Sequence, residues 1–188
     1  CRRSWNYSFP SHNRWILRQQ LILYIILFSS DDCKELPYEN DMKLTTTHLH
    51  KQNSFGKITV LTAYDFPTAR VADECGIDIL LVGDSVGTNV LGYEDISQVT
   101  MEDMLHHVRP VARAAKRAFV LADLPFHSFE TARQGLENAA KLMRENADGV
   151  KIEGGKDVVD IIRLLAHNNI PVCAHIGYTP QTKGKKPQ

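Results

Sequence analysis

Residues 77–84 read Ile77-Asp-Ile-Leu-Leu-Val-Gly-Asp84, an apolar run closed by a glycine and an aspartate. A strand with one face in water would alternate apolar and polar residues, whereas a nearly continuous apolar strand belongs to a parallel sheet covered by helices. The same design recurs in residues 58–63 (ITVLTA), 119–124 (FVLADL), 149–153 (GVKIE) and 171–176 (PVCAHI). Helical patterns lie between these runs. The first helix is predicted over residues 67–75 with Gly76 as its stop. The second opens at Thr100 as N-cap and carries an apolar stripe from Met101 through Met104, Val108 and Val111 to Ala115. Ala132, Leu136, Ala139, Ala140 and Met143 mark a third helix, and Val158, Ile161, Ile162 and Leu165 a fourth.

Strand and helix in this alternation fit either an open doubly wound sheet or a (β/α)8 TIM barrel. The ionisable residues discriminate between them. Side chains alternate faces along a strand, so Leu80, Val82 and Asp84 share a face of their strand, as do Leu121 and Asp123, and Lys151 and Glu153. Each set ends in a charged group at the C-terminal end of its strand, and His175 sits near the end of the fifth. Charged groups at successive strand ends converge on one mouth in a barrel, but spread along an edge in an open sheet. The expected fold is therefore an α/β (β/α)8 barrel, of which about five strands are present. A complete barrel needs roughly 250 residues.

Two aspartates and a glutamate without a cysteine or histidine cluster form an all-oxygen set suited to Mg2+ rather than zinc. Such a cation leaves open positions for a 2-oxo acid and acts as a Lewis acid on its keto oxygen. Lys151, on the same strand face as Glu153, is placed to neutralise a carboxylate. Spacing alone leaves a second reading open, in which these groups are interior salt bridges. Gly83-Asp84-Ser85-Val86-Gly87 has the look of a phosphate loop but matches neither phosphate-binding pattern. Its glycines are instead expected to let the backbone turn so that Asp84 and Ser85 face a ligand. Cys75 and Cys173 read as buried small apolar residues, and His106 and His107 as surface or packing residues of a helix.

The 188 residues carry 22 basic and 22 acidic side chains, a balance that excludes a polybasic nucleic-acid binder. Four scattered cysteines make no disulfide scaffold and suggest a reducing, cytoplasmic setting. Residues 1–41 lack a sustained period. Their run at 21–28 (LILYIILF) is too short for a bilayer, which takes about 20 residues. It resembles a signal-peptide core but is followed by no small-residue cleavage site. The first methionine is Met42. The expectation is that translation starts there, that residues 1–41 are upstream sequence, and that the Asn6-Tyr7-Ser8 sequon is a chance match.

Six motifs then occur in order: Thr62-Ala-Tyr-Asp65, Leu81-Val-Gly-Asp-Ser85, Val90-Leu-Gly-Tyr93, Ala122-Asp-Leu-Pro-Phe126, Val150-Lys-Ile-Glu-Gly-Gly155 and His175-Ile-Gly-Tyr-Thr-Pro-Gln181. Together they closely resemble the ketopantoate hydroxymethyltransferases. The resemblance implies a barrel of the phosphoenolpyruvate and pyruvate-binding type that moves a one-carbon unit from 5,10-methylenetetrahydrofolate to 3-methyl-2-oxobutanoate, giving 2-dehydropantoate. It implies Asp84, Asp123 and Glu153 as Mg2+ ligands, and Asp84, Ser85, Asp123, Lys151 and His175 as groups around the oxo acid. It also implies a homo-oligomer. Thr88-Asn89, His127 and Tyr178 depart from the usual family residues; none is expected to touch a proposed ligand, so the implied substrate class is little affected. The general base, a glutamate of a later strand in the family, is expected beyond residue 188. The chain alone is then expected to be nearly inactive. The alternatives are a non-catalytic module for Mg2+ and a 2-oxo acid, or an inactive truncated gene product; a membrane tether rests only on the run at 21–28.

Overall fold

The structure, a computed structural model, describes residues 42–53, 56–177 and 179–181. The expectations for residues 1–41 and for Tyr178 lie outside them. The described chain runs α1 (Thr46–Asn53), β1 (Val60–Thr62), α2 (Phe66–Glu74), β2 (Ile79–Val82), α3 (Met101–Ala114), β3 (Phe119–Asp123), α4 (Ala132–Arg144), β4 (Gly149–Glu153), α5 (Val159–His167) and β5 (Val172–His175). A π-helical turn at Gly87–Leu91 and a 3-10 turn at Ile96–Gln98 fill the loop after β2. Local chemistry accounts for the boundaries. Pro67 stands in the first turn of α2, where its missing N–H costs nothing, and Asp65 accepts from the Thr68 N–H as N-cap. Gly76 ends that helix at φ +80°. Thr100 and Asp103 form a reciprocal capping box on α3.

All five strands are parallel and lie in the order β1-β2-β3-β4-β5. That order settles the architecture. Crossovers between parallel strands are right-handed, so a sheet whose strands follow one another without reversal carries all its connecting helices on one side. A doubly wound sheet reverses its strand order at a switch point, and none occurs here. Residues paired across the ladders share a face. Leu80, Val82, Val120, Ala122, Val150 and Ile152 form the helix-covered face and are all at most 1% exposed. Each of the leucine, valine and isoleucine side chains among them contributes roughly 1.5–3 kcal/mol by its removal from water. The opposite face carries Leu81, Leu121, Asp123, Lys151, Glu153 and His175.

This register corrects one expectation. Leu80 and Val82 point to the helices, on the face opposite Asp123, so strand alternation does not bring Asp84 to the mouth. β2 ends at Val82, and the chain has left the ladder by the time it reaches Asp84. The glycine reading changes with it. Gly83 and Gly87 are absent from the positive-φ glycines; space is what they supply. A Cβ on Gly83 would lie 3.0 Å from Ser85 Oγ and 3.4 Å from Asp123 Oδ2, and one on Gly87 would lie 2.5 Å from Val99 Cγ2. The cysteines also differ from expectation, since both Cys75 and Cys173 are exposed. Cys75 caps the end of α2, and Cys173 lies on the inward face of β5, which has no further strand beside it among the described residues.

The acidic residues divide between the two ends of the sheet. At the N-terminal ends, Asp73 accepts the backbone N–H groups of Lys116, Arg117 and Ala118 at 2.6–3.2 Å. Asp78 accepts from Thr59, Gln52 and Arg117, and Asp148 from the Val120 N–H. These carboxylates fasten loops to strands.

Candidate active site

At the other end, β2, β3, β4 and β5 deliver Asp84, Asp123, Lys151, Glu153 and His175 to one mouth. The ladders pair Asp123 with Lys151 and Glu153 with His175. Asp123 Oδ1 lies 2.5 Å from Lys151 Nζ, and its Oδ2 accepts the Asp84 N–H at 3.1 Å. His175 Nδ1 lies 3.2 Å from Glu153 Oε2, in an orientation that makes no hydrogen bond. Asp84, Asp123 and Glu153 are only 7%, 2% and 4% exposed. Burial, reinforced by the charge of Asp123, pushes the Asp84 carboxyl up to about 6 against the opposing pull of Gln181, Lys151 and His175. Burial likewise raises Glu153, although the Gln181 N–H and His175 pull it down. Three buried carboxylates facing one lysine and one histidine are short of positive charge, and either a proton or a cation relieves that.

Ser85 joins the site from the turn after β2. Its Oγ is 2.8 Å from the Tyr64 hydroxyl, which also accepts from Asn89 Nδ2 at 3.0 Å. The Tyr64 carbonyl is 2.8 Å from Nδ1 of the buried His107, while His106 is exposed, so both histidines pack or face solvent as expected. Thr88 and Asn89, two of the departures from the usual family residues, lie beside the Ser85–Tyr64 pair. The Thr88 hydroxyl donates to the Ser85 carbonyl at 3.3 Å, and Asn89 braces the tyrosine that holds Ser85. His127, in contrast, is exposed and paired with Glu130.

Two participants escaped the strand-end argument. Tyr64 lies just beyond β1, and Gln181 follows β5 in a segment without periodicity. Gln181 is 4% exposed. Its Nε2 donates to Asp84 Oδ2 at 2.7 Å and to the Leu124 carbonyl at 3.0 Å, while its backbone N–H donates to Glu153 Oε1 at 2.9 Å. Both residues stand inside the quoted motifs, which was the available signal.

The residues fit a hard divalent cation in charge and atom type. Buried Gln181 Oε1 has no hydrogen-bond partner, so the mouth holds acceptor capacity that protein groups leave unused. Among the described residues no three His, Cys, Asp or Glu side chains close into a ready cage. Mg2+ does not need one, because it keeps several waters and uses one or two carboxylates.

A parallel sheet with sequential strands, helices on one side and its acids at the C-terminal strand ends defines part of a (β/α)-barrel scaffold. Solved structures agree on the fold. A 2,3-dimethylmalate lyase, itself a member of the phosphoenolpyruvate mutase/isocitrate lyase superfamily, superposes with a TM-score of 0.55 at 19% identity, over 71% of this chain and 51% of its own. A phosphonopyruvate hydrolase in complex with oxalate and Mg2+ superposes at 0.57 with 15% identity, over 70% and 52%. The family model of ketopantoate hydroxymethyltransferase matches residues 43–186, and the chain belongs to that family. A 3-methyl-2-oxobutanoate hydroxymethyltransferase of Thermoanaerobacter sp. (strain X514) is 51% identical over 143 residues, 74% of this chain and 52% of the relative. One of Pyrobaculum calidifontis is 49% identical over 140 residues, 74% and 53%. The chain thus spans about half the length of the curated relatives it matches.

Proposed function

We propose that this chain forms the metal- and oxo-acid-binding part of an enzyme that transfers a hydroxymethyl group from 5,10-methylenetetrahydrofolate to 3-methyl-2-oxobutanoate. The product is 2-dehydropantoate, on the route to pantothenate and coenzyme A. The observation that carries the proposal is the set of buried Asp84, Asp123 and Glu153 around Lys151 at one mouth. Its relatives at about half identity bear the name of this activity.

In this reading Asp84, Asp123 and Glu153 hold Mg2+, directly or through water. The bound ion would supply Lewis-acid stabilisation of the enolate oxygen as the C3 proton leaves. The chain's own groups bind and orient. Lys151, anchored to Asp123, presents its ammonium to the substrate carboxylate, and His175 lines the same pocket. Ser85 Oγ, fixed by Tyr64, offers a hydrogen bond to an oxo-acid oxygen. The base for the C3 proton is assigned to the part of the family's barrel that follows the matched half. The folate cosubstrate and a homo-oligomeric assembly are proposed from the family.

The test is an assay of 2-dehydropantoate formation by the purified 188-residue chain with Mg2+, the oxo acid and the folate, beside a full-length relative. A general base is worth about 10^2 to 10^4 in rate, so turnover below about one hundredth of the relative's is expected. Turnover near the relative's would overturn the assignment of the base.

A further inference from the structure

We infer that Gln181 is a positioning residue for the metal site, setting the carboxylates of Asp84 and Glu153 and accepting a hydrogen bond from the hydration shell of the cation. The inference rests on the metal-site reading above and adds to it a residue outside the acids, Ser85, Lys151 and His175.

Three hydrogen bonds from one residue reach the ends of three different strands. The side-chain amide takes Asp84 after β2 and the Leu124 carbonyl after β3, and the backbone N–H takes Glu153 at the end of β4. The bonds to the two acids leave each carboxylate with one oxygen not engaged by Gln181: Asp84 Oδ1 and Glu153 Oε2. An amide suits this position better than a cation would. A lysine or arginine there would neutralise Asp84 and compete with Mg2+, whereas a neutral donor orients the carboxylate and leaves its charge available. The amide is also locked in direction. With Nε2 committed to two acceptors, Oε1 is buried without a donor. A buried acceptor left unpaired costs about 1–3 kcal/mol. A hydrated Mg2+ held by the neighbouring acids keeps several waters, each with hydrogens to donate. Such a donor satisfies Oε1 when the ion binds and leaves it unsatisfied otherwise.

The experiment measures Mn2+, as a paramagnetic stand-in for Mg2+, on the full 188-residue chain by electron paramagnetic resonance and titration calorimetry. Gln181→Met keeps the length and the backbone N–H but removes both polar ends. Partners of metal ligands typically contribute 10- to 100-fold in affinity, so the Mn2+ Kd is expected to rise by that factor. The spectrum of the Mn2+ that still binds is expected to change, which a merely packing role would not cause. Gln181→Glu, which retains an acceptor, serves as the second variant and is expected to bind Mn2+ more tightly than Gln181→Met. An unchanged Kd and spectrum in Gln181→Met, with binding lost in Asp84→Asn, overturns this inference alone. Tighter binding in Gln181→Met also overturns it, by making Gln181 a plug rather than a support. Absence of Mn2+ binding by the parent chain overturns it together with the metal site.

Discussion

Lys151 carries two relations at once, one to Asp123 and one to the proposed substrate carboxylate. Lys151→Met keeps the stem and removes the charge. A hydrogen bond to a charged group is worth about 1.5–3 kcal/mol, so affinity for 3-methyl-2-oxobutanoate in the presence of Mg2+ is expected to fall roughly 10- to 100-fold by calorimetry. Mg2+ affinity itself is not expected to fall, because Asp123 loses a competing partner. Asp78 illustrates the opposite end of the sheet. Burial raises its pKa, but hydrogen bonds from Thr59, Arg117 and Gln52 outweigh that and hold it below the ordinary carboxylate value. A carboxyl with a depressed folded pKa adds stability above its unfolded pKa and loses it as pH falls through the folded one. Urea unfolding of Asp78→Asn is therefore expected to show a loss on the order of 3 kcal/mol at pH 7, shrinking as the pH drops below about 4. The acids at the C-terminal strand ends were legible in the sequence because each stands at or next to the end of an apolar run. Gln181 was not, because its partner Asp84 is 97 residues away and nothing in its own segment marks it as buried.

At the scale of elements, the capping box of α3 was readable from Thr100 and the stripe that follows. Thr100→Ala removes the acceptor for the Asp103 N–H and the donor to its carboxylate. The expected cost is about 1 kcal/mol by thermal or urea unfolding, without effect on metal binding. Strand positions were also legible, yet the apolar runs overstate their lengths: residues 58–63 yield only Val60–Thr62. Ala63, just past the last ladder pair of β1, is still buried in the core, so hydrophobicity does not mark where the ladder stops. Helix α1 left no such trace, since Thr46–Asn53 (TTHLHKQN) has no strong apolar stripe and its good helix formers, Leu49, Lys51 and Gln52, are outnumbered by Thr, His and Asn. The turn after β2 was read through its glycines as a matter of φ, whereas Gly87 is required because Val99 occupies the place of a Cβ.

For the molecule as a whole, the choice between barrel and open sheet was legible in the polar residues, and the sequential strand order confirms it by an independent route. The step at Gly83 was not, since face alternation holds only while the chain stays in the ladder. The same strand order leaves β1 and β5 with one neighbour each among the described residues, and apolar side chains are exposed there. Val60 is 54% and Ile176 73% exposed. Open edges of this kind template association. Val60→Lys with Ile176→Lys is expected to reduce high-molecular-weight species of the 188-residue chain in light scattering while sparing the mouth. The central claim is that buried Asp84, Asp123 and Glu153, with Lys151, make a site for Mg2+ and a 2-oxo acid. Its most direct test is the thermal unfolding of this chain with Mg2+ and 3-methyl-2-oxobutanoate, added singly and together. The account expects the largest rise in Tm with both present and its loss in Asp84→Ala and in Glu153→Ala. No rise in the parent chain, or an equal rise in those variants, would contradict it.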